Sequence, residues 1–103
     1  MYQGTTPKLI FKLLDNLLDL SSAVEIWVTL KLTPYTKTFD ISRCAIDNEN
    51  KTITIELSQE ETLEMPASKV ESQIRILLGN GKALATNIVK VDVNRILKGG
   101  VIE

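Results

Sequence analysis

Gly79-Asn80-Gly81-Lys82 has residue types that can cradle a phosphate, with glycine amides and a lysine turned toward an anion. A Walker loop needs a Gly five residues before Gly81, where Ile76 stands. It also needs Ser or Thr after Lys82, where Ala83 stands, and the dinucleotide fingerprint fails at Leu84. A glycine hairpin is the better reading, because Gly supplies the positive φ of such turns. Asp47-Asn48-Glu49-Asn50 has the alternating oxygen ligands of a calcium loop, but Lys51 puts a cation where a ligand belongs. The central Gly and the distal Glu are also missing, which leaves a plain Asx turn. Asp15, Asp19, Asp40, Glu60, Glu61 and Glu64 could supply a carboxylate pair for glycoside hydrolysis. Most of them fall in turns or in a capped helix, where carboxylates are solvated surface. Cys44 lies beside Ala45 and Ile46, and the chain has no His to activate it. It reads as a small buried hydrophobe, not a nucleophile. Asn50-Lys51-Thr52 matches a glycosylation acceptor only formally.

Trp27 stands apart from these. It has the outward parity of the strongest strand, near Glu25 and Lys31. Tryptophan is enriched at the centres of protein interfaces. The indole is therefore either an interface anchor or a ring covered by the chain's own N-terminal arm or by the Pro34-Tyr35 loop. Trp27, Lys31 and Tyr35 form the candidate interface set. No catalytic, cofactor-binding or metal-ligating residues are expected.

The elements that position these residues are read from period-two alternation. Lys8–Leu14 places Leu9, Phe11 and Leu13 on one side. Ala23–Leu32 points Val24, Ile26, Val28, Leu30 and Leu32 inward, and Pro34 ends it. Phe39 and Ile41, then Cys44 and Ile46, look inward with a slip between them, which predicts a bulge or bend. Thr52–Leu57 alternates around Ile53, Ile55 and Leu57. Ser58 with Glu61 three residues on is a capping box for a short helix near 58–65, anchored by Leu63 and ended before Pro66. Val70–Leu77 is a further strand. Ala83–Val93 returns with Val89, Val91 and Val93 inward and a kink at Asn87. Asn94–Leu97 forms a last helical turn before Gly99-Gly100. The opening Met1–Pro7 is loose or an edge strand. Six or seven strands with one short helix predict a single-domain, all-β antiparallel sandwich over 1–103.

Composition closes off other classes. Hydrophobic residues make up 44% and charged residues 24%, ordinary for a globular domain. Net charge is −1, so no basic field attracts nucleic acid or an anionic membrane. Apolar runs stop at three residues, as in Ile26-Trp27-Val28, too short for a membrane helix or a signal-peptide core. One Cys allows no internal disulfide, and the lack of His removes the usual general base and the commonest zinc ligand.

Taken in order, Gln3-Gly4-Thr5-Thr6-Pro7, Leu57-Ser58-Gln59-Glu60-Glu61-Thr62-Leu63 and Val70-Glu71-Ser72-Gln73-Ile74-Arg75-Ile76 resemble small prophage-encoded proteins of Gram-positive bacteria. Gly81-Lys82-Ala83-Leu84-Ala85-Thr86 and Val91-Asp92-Val93-Asn94-Arg95-Ile96-Leu97 continue the likeness. The order of features also resembles the N-terminal domain of phage baseplate upper proteins, from about Gln3 to Leu97. The resemblance implies an immunoglobulin-like β-sandwich serving as a non-enzymatic piece of a phage tail or baseplate. Such a protein is made in the bacterial host cytoplasm and carried in the virion tail. Its implied partners are copies of itself and other tail proteins. The family brings no catalytic residues, and the expectation is that this chain stops after one domain where the larger baseplate proteins continue. The rival expectation is a small binding module for host cell-wall carbohydrate, with Trp27 and Tyr35 stacking on sugar rings. An aromatic content of 5% weighs against it.

Overall fold

The computed structural model describes residues 1–13, 19–86 and 88–102. The Leu14 end of the first strand, Asp15 and the expected kink at Asn87 lie outside the described residues. The elements run β1 (Lys8–Lys12), β2 (Ala23–Leu32), β3 (Tyr35–Phe39), β4 (Cys44–Asp47), β5 (Thr52–Glu56), α1 (Gln59–Leu63), β6 (Lys69–Leu78), β7 (Ala83–Ala85) and β8 (Val89–Asp92). Short 3-10 turns at Leu20–Ser22 and Ile41–Arg43 precede β2 and β4.

Two antiparallel sheets face each other. One has three strands in the order β1-β5-β4; the other has five, β3-β2-β6-β7, with β8 also on β6. The protein is an all-β antiparallel sandwich. Its strand order is its own: constant-type immunoglobulin domains keep the second strand with the first, fourth and fifth, whereas β2 here lies between β3 and β6.

Alternation decides what is buried. Ile26, Val28 and Leu30 of β2 and Ile74 and Ile76 of β6 join Ile53, Ile55 and Leu57 in the core. Each fully buried Ile, Val or Leu contributes about 1.5–3 kcal/mol. Val24 is the exception on β2. Ala23 pairs with Leu78 but Glu25 with Leu77, so the extra residue forms a bulge and Val24 turns outward. The parity slip after Ile41 is the 3-10 turn Ile41–Arg43, which carries the chain from one sheet to the other. Ile46 and Val89 have inward parity but remain exposed, because each lies on an edge strand of its sheet.

Thr86 breaks the last edge into two pieces. Arg75 pairs with Ala85 and Ser72 with Val89, so β6 advances three residues while the edge advances four. At the junction the Ile74 amide donates to Thr86 Oγ1 (3.0 Å) and the Thr86 amide donates to the Ile74 carbonyl (2.9 Å). The threonine hydroxyl thus takes the place of a ladder carbonyl.

The capping box forms as its spacing predicts. Ser58 Oγ accepts from the Glu61 amide, and Glu61 Oε1 accepts from the Ser58 amide. Leu63 is only half-buried; Thr62 and Met65 occupy the buried places. The stretch after Val93 is extended rather than helical. Asn94 gives its backbone to the N-terminal segment: its amide donates to the Met1 carbonyl (2.7 Å) and its carbonyl accepts from Gln3 (3.0 Å). Met1–Gln3 is thereby held parallel to the end of β8, not loose.

Candidate functional site

Many of the groups that sequence reading set aside as possible chemistry are engaged within the fold. Asp19 and Asp40 each cap a 3-10 turn, accepting from the amide and hydroxyl of the serine two residues on. Those serine hydrogen bonds hold both carboxyls below the usual range. The Asp47 carboxylate accepts from Asn50, which lowers it likewise. The ammonium of Lys51 sits on Asn48 Oδ1 (2.8 Å), and that oxygen also accepts the Leu20 amide (2.8 Å). The turn therefore ties the β4–β5 hairpin to the 3-10 turn before β2, and the side-chain oxygens of Asp47 and Asn48 are occupied. In Gly79–Lys82 the amides are similarly engaged: Gly81 donates to the Leu78 carbonyl and Lys82 to Asn80 Oδ1. Burial, chiefly, pushes the Cys44 thiol up, away from thiolate, and its Sγ lies 3.4 Å from the Asp40 carbonyl. Among the described residues no group of three or more His, Cys, Asp or Glu is placed to hold a metal ion. No described helix is long and apolar enough to cross a membrane.

What remains is the outer face of the five-stranded sheet. Residues opposite one another in an antiparallel pair share a face. Trp27, Arg75 and Ala85 therefore form one row across β2, β6 and β7, and Glu25, Leu77 and Ala83 form the next. These residues, with Ile76 and Leu84, line an open depression of about 360 Å³. The alanines offer only methyl groups beside the indole, which is why the surface dips there. Trp27 is 44% exposed. Neither suspected cover reaches it: the N-terminal arm lies against Asn94, and Tyr35 pairs with Leu32 at the far end of β2.

Lys31 shares this outer face, across from Glu71 and Thr36, two rows from the indole. Tyr35 does not. Its partner Leu32 has the parity of the buried Leu30, and both pack against the core. The Tyr35 hydroxyl is closed off from solvent with no hydrogen-bond partner among the described residues. Burial pushes this phenol up, with Glu64 and Glu61 adding to the shift. The two rings point to opposite faces and do not converge on one ligand. Arg75 and the two alanines are the companions of Trp27 that sequence reading missed. Alternation puts Arg75 outward on its own strand, but nothing local says that β6 lies beside β2.

Compared with known proteins, the chain matches no family model and no curated protein.

Proposed function

We propose that this chain is a non-enzymatic assembly component of a phage tail or baseplate, working through protein–protein contact on the outer face of its larger sheet. The observation that carries the reading is Trp27: a tryptophan 44% exposed on a regular strand, at a depression next to small side chains and a short edge strand. A large amphipathic ring in such a setting has the character of an interface hot spot. The link to phage tails comes from the ordered sequence features between Gln3 and Leu97. Near-neutral net charge, −1, allows close assembly without strong self-repulsion.

The test is light scattering of the native chain and of Trp27→Ala at concentrations about tenfold apart, a span that separates association from a fixed mass. Trp27→Ala is expected to keep its circular dichroism and melt while forming less of any complex. If Trp27→Ala unfolds the domain, the ring is core and the reading loses its support. Mass spectrometry of tail particles from a lysogen that encodes the chain tests the phage setting, and absence from the particle overturns it.

A further inference from the structure

Glu25 and Arg75 both line the depression around Trp27, and among the described residues neither side chain makes a hydrogen bond or ion pair. Trp27 stands across from Arg75, and Leu77 across from Glu25. The four residues form the corners of a square, with the charges on one diagonal and the apolar side chains on the other. Diagonal neighbours in a sheet lie about 7–8 Å apart, a span that long side chains can bridge, yet among the described residues no ion pair joins Glu25 to Arg75.

We infer that this face binds a second copy of the chain about a two-fold axis running along the Trp27–Leu77 diagonal. The inference deepens the assembly reading and rests on it. A two-fold interface must be complementary to itself. Turning the face over on that diagonal exchanges the places of Glu25 and Arg75. Each Glu25 then meets the second copy's Arg75, and each Arg75 the second copy's Glu25. Trp27 and Leu77 lie on the axis and pack against their own counterparts, and the methyl groups of Ala83 and Ala85 leave room for the indoles. Charges unpaired among the described residues of one chain thus each acquire a partner, giving two ion pairs per dimer. A uniformly acidic or basic partner would satisfy one charge of the pair and be repelled by the other. Edge-to-edge pairing through β7 would use three residues, leave both charges unpaired and meet the break at Thr86. A second copy is the occupant that satisfies all four corners.

Sedimentation equilibrium with a charge exchange tests this. Arg75→Glu alone and Glu25→Arg alone each bring like charges together twice per dimer and should raise the dissociation constant by about tenfold or more. Arg75→Gln should weaken it less than Arg75→Glu. The double variant should recover to within about threefold of the native value, since the attraction is restored with its sign reversed. Circular dichroism and melting confirm the fold of each variant, and the neutral Glu25→Gln replaces a reversal that fails to fold. Ile10→Ala, exposed on the outer face of the other sheet, is the control expected to leave the constant unchanged. A dimer indifferent to both reversals, a double variant that does not recover, or a trimer or larger ring overturns the two-fold pairing while leaving self-association through another surface. A native chain that is monomeric up to about 1 mM also overturns it, and confines assembly to contact with a different protein.

Discussion

Arg43 and Glu61, eighteen residues apart, form a two-pronged ion pair that joins two of the three places where the chain crosses between sheets. Arg43 Nη1 donates to Glu61 Oε2 and Nη2 to Oε1, each at 2.8 Å. Nη2 also donates to the Glu56 carbonyl (2.9 Å), and the guanidinium lies 5.0 Å from the centre of the Phe39 ring. Arg43 closes the 3-10 turn between β3 and β4, while Glu61 belongs to the capping box of α1 between β5 and β6. One carboxylate thus starts the helix and receives the arginine, and the forked geometry favours Arg over Lys here.

This pair gives the protein a specific acid response. The Arg43 guanidinium, foremost, together with the Ser58 amide, holds the Glu61 carboxyl down to about 2 from an ordinary 4.5. Between those values the unfolded chain binds a proton that the folded chain refuses, so stability falls as pH falls. The contribution is complete above about pH 4.5 and is lost as pH drops through about 2. Glu61→Gln should cost about 1–2 kcal/mol at neutral pH, a modest figure because Arg43 is partly solvated. It should also flatten the loss of stability between pH 4.5 and 2, read by urea unfolding at a series of pH values. Some slope persists, since Asp19, Asp40 and Asp47 are also held low by their hydrogen bonds.

The break between β7 and β8 depends on one hydroxyl. Ile74 is fully buried, and its amide donates to Thr86 Oγ1. Thr86→Val keeps the shape but removes that acceptor and strands a buried N–H. The expected cost is about 1–3 kcal/mol. Thr86→Ser keeps the hydroxyl and should cost clearly less. A larger loss for Ser than for Val in denaturant unfolding would show that the methyl group, not the hydroxyl, matters at this junction.

Tyr35 offers the opposite case. Its hydroxyl is buried without a partner among the described residues, so folding desolvates it with no hydrogen bond from them in return. Tyr35→Phe removes the oxygen and keeps the ring against the core. It should leave stability unchanged or raise it by up to about 1 kcal/mol, measured by thermal melting. A clear loss of stability would mean that the hydroxyl has a partner in solution.

Legibility in the sequence followed the range of the forces involved. The Ser58–Glu61 box, the Asp47 turn and the Gly79–Gly81 hairpin are local, and residues a few places apart determine them. The inward set Ile26, Val28 and Leu30 was equally plain, because alternation along a single strand reports burial. What stayed hidden depends on pairing between distant segments. The bulge at Val24 appears only in the register of β2 against β6. The side chosen by Tyr35 follows from its pairing with Leu32, and the company of Trp27 from strand order. Asn94–Leu97 looks helical by itself; the N-terminal segment, some ninety residues away, supplies the backbone partners that keep Asn94 in a bridge instead.

That closure of the two ends turns on Gly4. Its φ is +70°, and a Cβ placed there would lie 2.9 Å from Ile96 Cδ1 and 3.3 Å from Leu63 Cδ2. Gly4→Ala therefore meets two penalties: a left-handed backbone that alanine disfavours and a contact that forces Ile96 to move. Together they should cost about 1–2 kcal/mol. The damage should be local, because Gly4 directly follows the residues that pair with Asn94. Amide hydrogen exchange at Gln3 and Asn94 should quicken well before that of β2 or β6. Gly81→Ala separates the two penalties, since Gly81 has a φ of +86° but nothing within 4 Å of its Cβ position. Gly99→Ala has neither penalty and should be close to neutral. If Gly4→Ala proves no worse than Gly81→Ala, backbone strain alone explains it and the contact with Ile96 relaxes freely. If it is clearly worse, the packing of Ile96 and Leu63 over Gly4 is what fastens the N-terminal segment to the end of β8.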